Sequence, residues 1–460
     1  MTEQEARQIW RRGEEATVAA LLALSAEIAL LKAELHRKGY SPSTPSGMRP
    51  VHTKPSSKGR RKSPGRRKGH PGSRHRRPER IDNIKEHTLS QCPTCHGPLS
   101  ELPHPRVRYT EEIVPLPVEV TEHRVHRYWC KQCKRIVEPK IPDALPRSTI
   151  GLRSLISSCW QHYGLGIPIE KIVQMLNQAF QFRLTKGGLI QAWQRLALLL
   201  KPVYDSIGKE ARGSAVLHAD ETGWRVNGKT NWLWCFTNKR VVYFIIDRSR
   251  GSPVVKRVLG KIFGGILISD FFGAYNRLKA LAKQRCMAHL FRELVKVDSF
   301  NKGGQWRAFR KRLCRLLRDA IRLHKAVKEL SPAVYNRRKE RLHKRLEGIY
   351  TPSYEDRDCQ RLTKRLRRHK DELLTFLDYP EVSPDNNHAE RQLRPAVTSR
   401  KNSYGNRSQM GALAQAIHMT IFGTLHLRGK DPVETLVNLV QHILASGEGP
   451  AAWDDRTSLG

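Results

Sequence analysis

Residues 214–222 read Ser-Ala-Val-Leu-His-Ala-Asp-Glu-Thr. The run is mostly apolar up to Ala219 and ends on an acid, Asp220. A short apolar stretch of this kind, bounded by polar residues, is the pattern of a buried strand. Downstream, Asn231–Thr237 and Arg240–Asp247 predict two strands around a turn at Asn238 and Lys239. Pro253–Gly260 predicts a short helix. Gly265–Ser269 predicts another buried strand, again ending on an acid, Asp270. Ala274–Lys283 is expected to be helical and Gln284–Met287 to be a last short strand. The resulting order is three strands, helix, strand, helix, strand.

Acids at strand ends matter because phosphodiester chemistry with Mg²⁺ needs oxygen ligands. Two ions bridged by carboxylates can activate a nucleophile and steady a leaving oxygen. Asp220 and Asp270 would supply two such groups, and Glu390 is the best third candidate. It sits on a predicted helix starting near Asp385 or Asn386 and reaching about Leu393, in the polar stretch Asp385-Asn-Asn-His-Ala-Glu-Arg391. Arg391, Arg394, Arg400 and Lys401 surround it as a phosphate-binding face would. Spacing alone leaves Glu221, Asp247, Glu381 and Asp385 as competing acids.

Between the second and third acids lies a long basic segment, 290–377, with helical periodicity and no strand pattern. Two further helices are expected at Gln409–Leu427 and Pro432–Ala445. Upstream, Leu152–Tyr163, Ile169–Phe180 and Thr185 to Lys209 predict helices with helix-turn-helix spacing. Gln191, Trp193 and Arg195 would then lie on a helix able to enter a major groove; any small helical hairpin looks similar.

Cys92-Pro-Thr-Cys95 and Cys130-Lys-Gln-Cys133 are the strongest local signal. Two such pairs offer four thiolates, which suits a closed, structural tetrahedral Zn²⁺ site. Strands expected over Val107–Val114 and Val118–Tyr128 would form the hairpin between them. Residues 3–37 predict one helix with Leu21, Leu24, Ile28, Leu31 and Leu35 at spacings of three and four. This is either an oligomerisation coil or a helix packed on its own domain. Residues 39–81 are rich in Ser, Pro, Gly, Lys and Arg, too polar to bury a core, and are expected to be disordered when free. Arg60, Arg61, Lys62, Arg66, Arg67 and Lys68 within them resemble a DNA-binding arm.

Composition agrees. The 460 residues carry 83 Lys plus Arg against 43 Asp plus Glu, a net charge of +40. That imbalance calls for a polyanionic partner, and nucleic acid is the commonest. No signal peptide, no apolar run of membrane-span length and no disulfide pattern is evident, so a cytoplasmic, nucleoid-associated protein is expected.

Several runs together resemble one family. They are His218-Ala-Asp-Glu-Thr222, Trp232-Leu-Trp234, Ser269-Asp270 with Tyr275-Asn276, Cys286-x-x-His289, and Asp385-Asn-Asn-x-Ala-Glu-Arg-x-x-Arg394-Pro with Arg400-Lys-Asn402. They are similar to the insertion-sequence sixty-six family transposases (TnpC-like), over nearly the whole chain. The resemblance implies a multidomain α+β protein with a ribonuclease H-like α/β core of the DDE type. The implied domains are an N-terminal helix or coiled coil (1–38), a basic linker (39–81), a zinc ribbon-like element (82–147) and a helical DNA-binding segment (148–212). A catalytic core (213–405) with an all-helical insertion at about 290–377 follows, then C-terminal helices and a tail (406–460). The family's catalytic acids fall on Asp220, Asp270 and Glu390, with Mg²⁺ or Mn²⁺ as cofactor. Cys286 and His289 would support the second acid or flanking DNA. A metal site from these two alone is not expected, since no further ligands are evident nearby. The implied partners are transposon-end and target DNA, a second copy of the chain, and small accessory proteins encoded beside it. Alternatives are a ribonuclease H-like nuclease or resolvase, and a decayed DNA-binding zinc protein without catalysis.

Overall fold

The computed structural model describes residues 3–39, 80–100, 107–110 and 118–446. The basic arm with Arg60, Arg61, Lys62, Arg66, Arg67 and Lys68 lies outside the described residues. Two units emerge, Pro55–His123 and the remainder of the chain.

The amino-terminal segment forms two helices rather than one, α1 (Glu3–Arg11) and α2 (Glu14–Gly39). The break falls at Gly13, whose φ of 98° lies where glycine alone sits without strain. Leu21, Leu22 and Ile28 of α2 are exposed. Around the second cysteine pair, β1 (Tyr128–Cys130) and β2 (Arg135–Val137) form an antiparallel hairpin. The longer strands expected on either side are absent from 107–110 and 118–127; 111–117 lie outside the described residues. Extended chain becomes strand only where a neighbour takes its ladder bonds, and at Tyr128–Cys130 β2 does so.

Four helices follow: α3 (Leu152–Tyr163), α4 (Ile169–Ala179), α5 (Lys186–Leu199) and α6 (Lys201–Arg212). Thr185 caps α5, its Oγ1 accepting from Gly188 N at 3.1 Å. The single helix expected from Thr185 to Lys209 is interrupted at Leu200, because Pro202 has no N–H and takes the first turn of a new helix.

The central sheet has the order β5-β4-β3-β6-β7. Its strands are β3 (Val216–Val226), β4 (Lys229–Thr237), β5 (Val242–Asp247), β6 (Ile262–Ser269) and β7 (Lys279–Arg285). The first three form an antiparallel meander, and β3, β6 and β7 run parallel. A short helix, α7 (Ser252–Leu259), carries the chain from β5 to β6. This is the ribonuclease H-like arrangement. One element differs from expectation: Ala274–Lys283 is not a helix but a 3-10 turn (Gly273–Tyr275) leading into β7. Ala, Leu and Lys favour helix locally, but the open edge of β6 takes the segment as a fifth strand, and tertiary pairing overrides propensity.

The insertion consists of α8 (Met287–Asp298), α9 (Gly304–Lys325), α10 (Pro332–Tyr350) and α11 (Arg357–Arg368), closed by two 3-10 turns. It has its own core of Trp306, Phe309, Leu316, Leu346, Leu362 and Phe376, continuous with Ile266 and Ile268 of the sheet. The chain ends in α12 (Asn387–Ser403), α13 (Gln409–Leu427) and α14 (Pro432–Ser446). Helix α12 does not stop near Leu393. It runs through Pro395 to a left-handed Tyr404, because Leu393, Ala396 and Ser399 continue its buried face. Leu393 and Ala396 pack with Trp224 and Leu233 of the sheet. Helix α13 covers the edge strand β5, where Thr424 and Thr420 side chains accept from Val242 N and Phe244 N. One hydrophobic core joins α3–α6, one face of the sheet and α13–α14.

Candidate active site

The parallel ladder between β3 and β6 ends at His218 opposite Ile268. Asp220 and Asp270 each lie two residues beyond that pair, so the topology places both acids at the same level, where the two strands part. This is the carboxyl end of parallel strands, the usual place for ligands in open α/β sheets. Glu390 is in the first turn of α12. Burial pushes the Asp220 carboxyl well up, and Glu221, Asp270 and Glu390 push in the same direction. Asp220 is therefore an electrostatic neighbour of both other acids of the sequence reading.

Asp220 Oδ1 accepts from Glu221 N at 2.9 Å, Asp270 Oδ1 accepts from Phe272 N at 2.8 Å, and Glu390 pairs with Arg292; most of the competing acids have partners of their own. Glu221 is buried, with Oε1 accepting from Arg250 Nη2 at 2.9 Å and Oε2 from the Tyr275 hydroxyl at 2.7 Å. Burial raises its carboxyl to about 8, with Asp270 adding to the effect. The Arg250 guanidinium is itself held between Trp232 and Phe272. Asp247 accepts from Ser249 N at 2.7 Å and Arg257 Nη2 at 2.5 Å. Asp385 Oδ1 accepts from Asn387 N at 3.0 Å, as a turn residue ahead of α12 does. Glu381 is exposed.

Two buried polar residues fix the acids in place, and neither stood out in the sequence. Asn386 donates through Nδ2 to Ala219 O at 2.8 Å, next to Asp220. Its Oδ1 meets His218 Nδ1 at 3.0 Å, and its backbone N–H points at Cys286 Sγ at 3.1 Å. Burial lowers His218 to about 4, so it is neutral near pH 7. Arg285, fully buried, donates to Asp270 O at 2.7 Å, Asn276 Oδ1 at 2.7 Å and Glu372 Oε2 at 2.6 Å. Burial alone would raise the Glu372 carboxyl, but His369 and Arg285 hold it at about 2. His388 anchors α12 to the β4–β5 turn, with Nε2 2.6 Å from Asn238 O.

Cys286 caps the start of α8, and His289 lies one turn on. Their ligand atoms and a Glu390 oxygen all lie within 4.8 Å of one another, which supplies the third ligand missing from the sequence reading. Arg292, on the same face of α8 as His289, bonds Glu390 Oε1 at 2.5 Å. Its three-residue spacing from His289 was the available signal.

The expected DNA-contact residues are dispersed. Arg391, Arg394 and Lys401 are exposed on α12. Arg400 turns inward instead, bonding Thr222 Oγ1 and Gly223 O of β3. Gln191 and Arg195 are exposed and line a shallow groove with Arg147, Gln194, Leu198 and Met410. Trp193, expected to reach DNA from the same helix, is buried and donates to Ser158 Oγ.

The cysteine pairs fall in different units and show the same local turn. His96 N donates to Cys92 O at 2.8 Å, and Cys133 N points at Cys130 Sγ at 3.3 Å. The residue after each second cysteine is left-handed, His96 at φ 56° and Lys134 at φ 49°. Backbone N–H groups lower the thiols of Cys92 and Cys130, favouring the thiolate that binds metal.

The family model described as "Transposase IS66 family" matches residues 148–414. The chain belongs to this family. A second model, the zinc-finger binding domain of transposase IS66, matches residues 90–134, around both cysteine pairs. Similar chains include the uncharacterized proteins y4hP and y4jD of Sinorhizobium fredii. The first is 24% identical over 398 residues, covering 76% of this chain and 70% of the relative. The second is 23% identical over 411 residues, covering 80% and 77%. As an IS66-family transposase the chain acts on DNA and carries a zinc-finger element. Among its described residues no helix is long and apolar enough to cross a membrane.

Proposed function

We propose that this IS66-family transposase cuts one strand at each transposon end and joins the freed 3′ hydroxyl to target DNA, with Asp220, Asp270 and Glu390 as its catalytic acids. What supports the reading is that Asp220 and Asp270 stand where β3 and β6 part, with Glu390 close enough to Asp220 to raise its carboxyl. Clustered like charges are unfavourable, Arg292 pairs with Glu390 alone of the three, and a set of oxygen donors fits Mg²⁺ or Mn²⁺. When bound, such ions activate the attacking oxygen and stabilise the leaving one. The chain's own residues do the positioning. Asn386 ties the strand of Asp220 to the helix of Glu390, and Arg285 holds the Asp270 backbone. Arg391, Arg394 and Lys401 supply positive charge to phosphates near Glu390. Cys92, Cys95, Cys130 and Cys133 hold a structural zinc, and the basic arm at 60–68, the groove at Gln191 and Arg195 and the zinc element grip the ends. The domains work as residues 1–38, 39–81, 82–147, 148–212, 213–405 and 406–460, with a second copy pairing the two ends.

A nuclease or resolvase on the same fold would cut but not join. Supplying a DNA end with a free 3′ hydroxyl and a target plasmid separates the readings. Covalent joining of the end to the plasmid is expected; cleavage without any joined product overturns the transfer step.

A further inference from the structure

The trio Cys286, His289 and Glu390 belongs to no part of the function above except through Glu390. Cys286 is buried and stands at the N-terminus of α8, His289 lies in the first turn of α8, and Glu390 lies in the first turn of α12. The two helix starts abut: Met287 N donates to Pro384 O at 2.9 Å, and Asn386 N points at Cys286 Sγ. Both starts carry positive partial charge, which favours anionic ligands such as thiolate and carboxylate. His289 Nδ1 is buried and has no hydrogen-bond partner, yet it faces Glu390 Oε1 at 3.7 Å. A buried ring nitrogen without a partner is unusual in a folded protein, and an ion would satisfy it.

We propose that these three residues form a second zinc site, separate from the four-cysteine element, that takes Zn²⁺ in preference to Mg²⁺. Sulfur and imidazole ligands select zinc, whereas magnesium prefers all-oxygen sets. With bonds of about 2.0–2.3 Å, tetrahedral zinc holds its ligand atoms about 3.3–3.8 Å apart. The His289–Glu390 pair, at 3.7 Å, needs to close by only a few tenths of an ångström, and the trio lies within 4.8 Å. Three protein ligands leave one position open, as in sites that exchange water. Binding displaces the Cys286 thiol proton to solvent and draws the Glu390 carboxylate from Arg292. Because Glu390 is shared, and resting on the catalytic reading above, zinc here withdraws the third acid from the Mg²⁺ site and switches strand cleavage off.

The test uses the full-length chain and Zn²⁺ alone, with bound metal counted by equilibrium dialysis and elemental analysis. Wild type should hold about two zinc ions at saturation, and C286S and H289Q each about one fewer. Wild type saturating at about one ion overturns the proposal without recourse to a variant, as do variants that retain the full count. In a parallel Mg²⁺-driven cleavage assay, H289Q should need at least about tenfold more zinc than wild type for half-inhibition; an unchanged zinc requirement overturns the switch. The metal count does not depend on cleavage, so failure of the zinc site and failure of the catalytic assignment give different results.

Discussion

Arg285 and Asn386 show how single buried side chains hold the acids at the parting of the strands. Removing Glu372 leaves the Arg285 guanidinium charged and unpaired in the interior, so Glu372→Ala should cost about 3–5 kcal/mol in urea unfolding. Glu372 is held at about 2 in the fold against an ordinary 4.5. Its pairing therefore adds stability that is fully present above pH 4.5 and is lost as pH falls through about 2. The acid limb of the stability profile should flatten in Glu372→Gln, and an unchanged limb would show that the pair contributes nothing. Asn386→Ala leaves Ala219 O and His218 without their partner, a loss of about 1–3 kcal/mol by denaturant titration. It should also lower cleavage more than DNA binding, because it loosens the strand of Asp220 against the helix of Glu390. Neither residue was legible in the sequence. Asn386 sat in the motif around Glu390 without a role, and nothing local singled out Arg285, since its partner Glu372 is 87 positions away.

At the scale of elements, the strands with clear apolar runs were legible: β4, β5 and β6 lie close to where the pattern put them, while β3 continues past Asp220 to Val226 because β4 pairs with it that far. What failed was decided by contacts that the local sequence does not contain. Strand β7 has helix-forming residues and exists because β6 offers an edge. Helix α12 passes its own proline because its buried face continues beyond it. Among the described residues, the hairpin expected between the cysteine pairs is a short ladder at the second. The edge of β5 shows the same principle in reverse, since its N–H groups are satisfied by threonines from a helix more than 170 positions away. Thr420→Val, close in shape, leaves Phe244 N–H buried and unpaired, and should lower stability by about 1–3 kcal/mol by calorimetry or urea titration. No measurable change would mean that the hydroxyl is not needed to close this edge.

For the whole molecule, the acid trio became legible only when the motifs were read together, because the helical insertion separates Asp270 from Glu390 by 120 positions. The fold closes that gap by packing the insertion against Ile266 and Ile268, so that α12 returns beside β3. The net charge of +40 has its own consequence at this scale. End-DNA affinity should fall by roughly 10³-fold or more between 50 and 200 mM salt if about six or more phosphates are engaged. The most direct test of the account is cleavage of a labelled transposon end by Asp220→Asn and Glu390→Gln in Mg²⁺. Each should lose cleavage by roughly a thousandfold or more while DNA binding stays within a few-fold of wild type. Cleavage at the wild-type rate by either variant would contradict the assignment of these acids.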